Sequence, residues 1–178
     1  MSDNVNLNIE GDEEELSLNF EGVKDMDFTP IPDGKYLLKV ISVDTGKTRA
    51  DDVMLKFQFA LADVDDNDPL ASKKIFYMLP VVPPKNGKPG SLWKVRQVLE
   101  AITGLEIAQG AINFKTSDLM GRRFYGTLGT HTYQQKKDKT DPNNTEMVTR
   151  TGNEVLEFEK DFDSLPPEAI TVTGNMSY

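Results

Sequence analysis

The ionisable and nucleophilic side chains of this 178-residue chain do not assemble into a catalytic set. His131 is the one histidine, cysteine is absent, and neither a nucleophile motif nor metal-ligand spacing is present. Two fragments imitate ligand loops. Asp63, Asp65 and Asn67 open like a calcium loop, but Asp68 stands where the sixth position needs glycine and Lys74 where the twelfth needs glutamate. Gly87-Lys88 is followed by Pro89, which lacks both the hydroxyl and the N–H of a phosphate loop, and no upstream glycine has the right spacing. What remains is a set of cations interleaved with rings: Lys47, Arg49, Lys56, Lys74, Phe76, Arg123, Tyr125, Lys136, Lys137 and Lys139. Cations pair with phosphates and rings stack on bases, so these types support binding of a polyanion that carries flat aromatic groups. No bond is made or broken and no cofactor is required; the expectation is a protein that is not an enzyme.

Charge is divided unevenly along the chain. Residues 1–33 hold ten acids and only Lys24, residues 34–152 hold eighteen Lys and Arg against thirteen acids, and residues 153–178 hold six acids and only Lys160. The formal net charge of −9 therefore hides a basic body of +5 between acidic ends of −9 and −5. Such asymmetry points to nucleic-acid contact with acidic tails in attendance, or to ends that only keep the chain soluble. The absence of cysteine excludes disulfides and thiolate metal sites and fits an intracellular location. The first ten residues lack a basic and an apolar targeting segment, and no run approaches the ~18 apolar residues of a membrane span. A cytoplasmic protein is expected, in the host cytoplasm if viral. The Asn143-Asn144-Thr145 and Asn175-Met176-Ser177 sequons then read as chance matches.

The elements that must position the cations and rings are mostly strands. Val53 to Leu61 alternates strictly, with Val53, Leu55, Phe57, Phe59 and Leu61 on one face and Lys56 and Gln58 on the other. Lys35 to Val43 precedes it as a strand apolar on both faces, and Lys73 to Val82 follows it with Ile75, Tyr77, Leu79 and Val81 opposite Lys74, Phe76 and Met78. Ser91 can cap a helix whose Leu92, Val95, Leu99 and Ile102 form a stripe and which Gly104 ends; Trp93 beside the stripe reads as packing. A short turn is expected at Ser117–Gly121. Arg122 to Tyr133 is a fourth strand with Phe124 and Leu128 on one face and Arg123, Tyr125 and Thr127 on the other. A basic hairpin loop turning at Asp141-Pro-Asn-Asn leads to a fifth strand over Thr145–Thr151. Glu154 to Phe162 reads either as a further strand or as tail.

Three strands, a helix and two strands joined by a long hairpin is the order of the OB-fold, a partly open Greek-key barrel of five strands. The expected fold is thus mostly β, with one helix between the third and fourth strands. Residues 28–152 form this domain, 1–27 an acidic flexible extension in which Leu16, Leu18 and Phe20 could pair with a partner, and 153–178 an acidic tail. That fold binds oligonucleotides on its second and third strands and in the loops after the first and fourth. The cations fall there: Lys47 and Arg49 in the first loop, Lys56 and Lys74 on the second and third strands, and Lys136, Lys137 and Lys139 in the fourth-strand loop. Phe76 and Tyr125 either stack on bases or fill the barrel.

The phrases I-P-D-G-K-Y (31–36), V-M-L-K-F-Q-F (53–59), K-K-I-F (73–76), S-L-W-K-V-R-Q-V-L-E-A (91–101) and D-L-M-G-R (118–122) resemble phage single-stranded-DNA-binding proteins of the OB-fold type. The resemblance implies a replication or recombination role, coating single-stranded DNA without sequence preference. It also implies an acidic tip with a terminal aromatic that recruits replication or recombination proteins. Tyr178 is aromatic, but Val172 to Ser177 before it holds no acid. The rival reading is a non-enzymatic structural or protein-interaction β-barrel, for example a virion component.

Overall fold

The alternating segments do become strands, and most run longer than their apolar patterns. The computed structural model describes residues 5–10, 13–18, 29–107, 110–163 and 171–174. Its elements are β1 (Val5–Glu10), β2 (Glu13–Leu18), β3 (Gly34–Lys47), β4 (Val53–Leu61), β5 (Ile75–Val81), α1 (Leu92–Thr103), β6 (Gly110–Asn113), a 3-10 turn (Thr116–Leu119), β7 (Arg123–Lys136), β8 (Met147–Lys160) and β9 (Thr171–Gly174). Five of them form one antiparallel sheet in the order β5-β4-β3-β7-β8. Among the described residues the protein is mostly β with one α-helix, and none of the described helices is long and apolar enough to cross a membrane.

β3 is central because it serves two neighbours. Its first half pairs with β7, its second with β4, and the register with β4 slips between Val40 and Ser42. An extra residue at such a bulge bends the strand and steepens its twist. It also switches parity: Leu38 and Val40 point inward before it, Val43 after it. β4 sends Leu55, Phe57, Phe59 and Leu61 into the core, whereas Val53, at the strand's start, is half exposed. β7 contributes Phe124 and Leu128. Between them a Cβ on Gly126 would lie 2.6 Å from the Leu38 Cδ1, so glycine makes room for that leucine.

The sheet curls until its ends meet. Phe59, Phe124 and Phe158 form one aromatic cluster, with Phe59–Phe124 centroids 4.9 Å and Phe124–Phe158 centroids 5.4 Å apart. Tyr77 of β5 completes it against Phe158 of β8. α1 lies against β5, β7 and β8 and buries Val95, Val98, Leu99 and Ile102, an i, i+3, i+4, i+7 face. Leu92, expected in this stripe, is 41% exposed, and Trp93, read as packing, is 60% exposed, because both precede the first buried turn. Ser91 occupies the N-cap position, but its hydroxyl makes no capping bond: it donates to the Pro80 carbonyl and accepts the Val82 N–H at 2.9 Å, tying the helix to β5. Gly104 ends it at φ 71°, in the left-handed region that glycine tolerates.

Two expectations about the C-terminal end need correction. Gly152, placed at the domain boundary, lies inside β8, whose pairing with β7 continues to Lys160; Val155 and Phe158 belong to the core, so Glu154 to Lys160 is strand, while Asp161 and Phe162 lie past its end. The stretch read as acidic tail contains β9, which pairs with β6 from Gly110↔Gly174 to Asn113↔Thr171. The stretch expected as an N-terminal extension contains β1 and β2, which pair with each other and, among the described residues, with no other strand. Phe20, Pro166-Pro167 and Tyr178 lie outside the described residues.

Candidate nucleic-acid interface

The outward residues of β3, β4 and β5 fall into three cross-strand rows. Gln58 stands opposite both Ser42 and Phe76, Lys56 opposite both Asp44 and Met78, and Met54 opposite both Gly46 and Pro80. Residues directly opposite in an antiparallel pair share a face, so these rows make one surface. On it Phe76 is 67% and Met78 63% exposed, while their strand neighbours Ile75 and Leu79 are buried. An apolar pair left on a wet face is unfavourable unless something covers it. Lys56 lies across the strand between them and β3: a Cβ on Gly46 would come within 2.7 Å of its Cε and 2.9 Å of its Nζ. The glycine therefore lets the lysine lie flat over β3. Lys74, exposed, precedes β5 by one residue and shares the parity of Phe76.

The turn after β3 is tightly organised. Lys47, expected in this loop, is the last residue of β3, and its Nζ contacts the Asp51 Oδ1 at 2.7 Å. The Thr48 hydroxyl oxygen accepts the Ala50 and Asp52 N–H groups, each at 3.2 Å. Arg49 is exposed on this turn.

Arg123 and Tyr125 are not brought to the β4–β5 face. The Arg123 guanidinium sits 3.3 Å from Asp63 and 3.3 Å from Asp161, a carboxylate only 4% exposed. Beside it, Arg122 donates to the Ile102 and Thr103 carbonyls at 3.3 and 3.1 Å and so satisfies the end of α1. Burial lowers the Arg122 pKa and the Asp161 charge partly restores it. Tyr125 stands opposite Glu159 in the β7–β8 register, and Thr127, two residues on, donates to Glu157 at 3.2 Å. Lys35 pairs with Glu159 and holds its Nζ 5.4 Å from the Tyr125 ring centre. This patch is an ion-paired belt, and phosphates approaching Tyr125 would meet carboxylates.

Beyond the core, β7 and β8 continue as a two-stranded ribbon to Lys136↔Met147. Lys136, expected in the loop, ends β7; Lys137 is engaged by Glu146 at 2.9 Å; Lys139 is exposed past the strand. At the tip the Asp138 carboxyl accepts the Thr140 hydroxyl and N–H, which holds its pKa below the usual carboxylate value. Asp141 accepts the Asn143 N–H at 2.9 Å, the turn chemistry read from Asp141-Pro-Asn-Asn.

Sequence reasoning missed three exposed side chains: Met78, Trp93 and Tyr133, the last 44% exposed on the ribbon. Met78 and Tyr133 were within reach, since each shares parity with a chosen ring, Phe76 or Tyr125. Trp93 carried no such signal. No protein-family model matches the chain, and no curated protein matches it.

Proposed function

We propose that this chain binds single-stranded DNA without sequence preference, on an OB-fold, in phage-type DNA replication or recombination. The connectivity supports the fold assignment. The first sheet strand pairs with the second and fourth, the helix falls between the third and fourth, and the sheet curls until third and fifth meet. One observation carries the function: Lys56 set beside the exposed pair Phe76 and Met78 on the second and third strands of that sheet. Bases stack on such a ring for ~1–3 kcal/mol each, and the lysine neutralises the phosphate between them. Lys74, Lys47, Arg49, Lys136, Lys137 and Lys139 extend the cationic path, Lys47 and Lys137 by exchanging a surface carboxylate for a phosphate. Exposed pairs of that kind are worth ~1 kcal/mol or less, so the exchange is cheap. Arg123 and Tyr125 are left out of this path because carboxylates already surround them. Recruitment of replication or recombination proteins by the C-terminal residues belongs to the same reading.

The test is fluorescence anisotropy with single- and double-stranded probes across a salt series. Three to five phosphate contacts predict a log K against log salt slope of about −2 to −3.5 for single strands. A flat slope, or duplex bound as tightly as single strand, overturns the reading.

A further inference from the structure

The β7–β8 ribbon has two unlike faces. One carries Thr130, Thr132, Gln134 and Lys136 opposite Asn153, Thr151, Thr149 and Met147. Its base is occupied by the segment leading into β3. Asn153 accepts the Ile31 N–H at 2.8 Å and donates to the Ile31 carbonyl at 2.7 Å, and Thr130 donates to Asp33. Further out, Gln134 donates to Thr149 at 2.8 Å. The other face carries His131, Tyr133 and Gln135 opposite Gly152, Arg150 and Val148. There the imidazole and phenol rings lie 5.5 Å apart at 31°. Both sit over Gly152, whose absent Cβ would stand 3.4 Å from the Tyr133 Cε1 and 3.6 Å from the His131 Cε1. The phenol ring rests at ordinary contact distance from this point of β8, with 44% of Tyr133 still exposed.

Charge changes sign along this same face. Near the core β8 presents Glu159, Glu157 and Glu154; past Gly152 it presents Arg150, and Lys139 lies exposed at the tip beyond the strands. A polyanion is repelled from the Tyr125 end and attracted at the Tyr133 end.

We infer that Tyr133 is a base-stacking station for single-stranded DNA, separate from the Phe76 face, with Arg150 as the cation for the adjoining phosphate. The inference rests on the single-strand reading above and locates its second aromatic contact on the ribbon, where Tyr125 was expected to serve. The Tyr133 ring supports one base on its open side, as base–aromatic stacking is indifferent to base identity. Arg150 stands directly opposite Tyr133 in the register, within reach of the phosphate beside a base so placed.

The experiment combines ultraviolet crosslinking of an oligothymidylate containing 5-iodouracil, read by mass spectrometry, with affinities of the full-length variants Phe76→Ala, Tyr125→Ala, Tyr133→Ala and Tyr133→Phe. The expected crosslink is at Tyr133. Tyr133→Ala should weaken binding roughly 5- to 150-fold. Tyr133→Phe, which keeps the ring, should stay within about twofold, as should Tyr125→Ala. Thermal melting of Tyr133→Ala should match the parent, since its ring is largely exposed. If Phe76→Ala weakens binding while Tyr133→Ala does not, the station is overturned and the single-strand reading survives. If Tyr133→Phe loses as much as Tyr133→Ala, the hydroxyl rather than stacking is responsible, and the inference fails. Absence of any binding by the parent chain overturns both.

Discussion

Tyr77 and Phe158 meet with ring centroids 5.0 Å apart at 60°, although their strands stand at opposite ends of the sheet order. Ring contact therefore joins β5 to β8. Edge-to-face pairs of this kind contribute ~0.5–1.5 kcal/mol beyond the area they bury. Phe158 also stacks on Phe124 at 16° and sits 5.3 Å below the Lys94 ammonium.

Phe158→Ala should therefore cost ~3–5 kcal/mol in denaturant unfolding, the range for a buried phenylalanine. Leu156→Ala, two residues away on the same strand but 52% exposed, should cost well under half of that. Equal costs for the two would mean that β8 is held by backbone pairing and not by this closure.

Stability should fall in alkali because of Tyr77. Burial raises its pKa above the ordinary value of 10.0. The folded chain keeps a proton that the unfolded chain releases, so the phenol's contribution is full below pH ~10 and is lost as pH rises through the higher folded value. Thermal melts between pH ~9 and ~11 should show a steeper decline for the parent than for Tyr77→Phe. Parallel curves would remove Tyr77 from the account.

The sheet was legible because the aliphatic and aromatic residues of β4, β5 and β7 alternate with a period of two, and the inward set of each strand is nearly the set that is buried. Val53, half exposed at the start of β4, and Ala60, buried on the outward parity, depart. The end of the domain was not legible. Val155 and Phe158 are three apart, because Leu156 is the extra residue where the β7–β8 register slips at Thr127/Leu128. That spacing breaks the alternation that identifies a strand, and the surrounding acids made it look like tail. Site residues on the β4–β5 face followed from parity alone. Arg123 and Tyr125 passed the same parity test but sit among Asp63, Glu157, Glu159 and Asp161, partners 34 to 60 residues away, or across a hairpin, that no local pattern reveals.

The C-terminal residues should behave as part of the fold. Ending the chain at Asp163 removes β9 and leaves the β6 backbone without its partner at Gly110–Asn113. Buried or paired backbone groups deprived of partners cost free energy comparable to a lost hydrogen bond. Hydrogen exchange at Ala111 to Asn113 should quicken while exchange in β3 and β4 stays slow. Ending the chain at Gly152 should unfold it, since Val155 and Phe158 go with the deleted half of β8. A folded, cooperative melt from that shorter chain would show that β8 is dispensable.

The position of Lys56 should matter as much as its charge. Its Cε and Nζ occupy the space where a Gly46 side chain would be, and the clash is with the far end of a flexible chain, not with backbone. Gly46→Val should therefore fold at least as well as the parent, because a β-branched residue suits an extended strand better than glycine does. Lys56 would be pushed off β3 and out of the position its Cε and Nζ hold over Gly46. Single-strand affinity should drop, and the salt slope should shrink by about 0.7, the loss of one phosphate contact. Lys56→Ala should reproduce that change of slope, and Gly46→Val added to Lys56→Ala should change nothing further, since both act on one contact. Additive losses would instead mean that Gly46 serves the strand by a close approach of its own backbone, with Lys56 contributing independently.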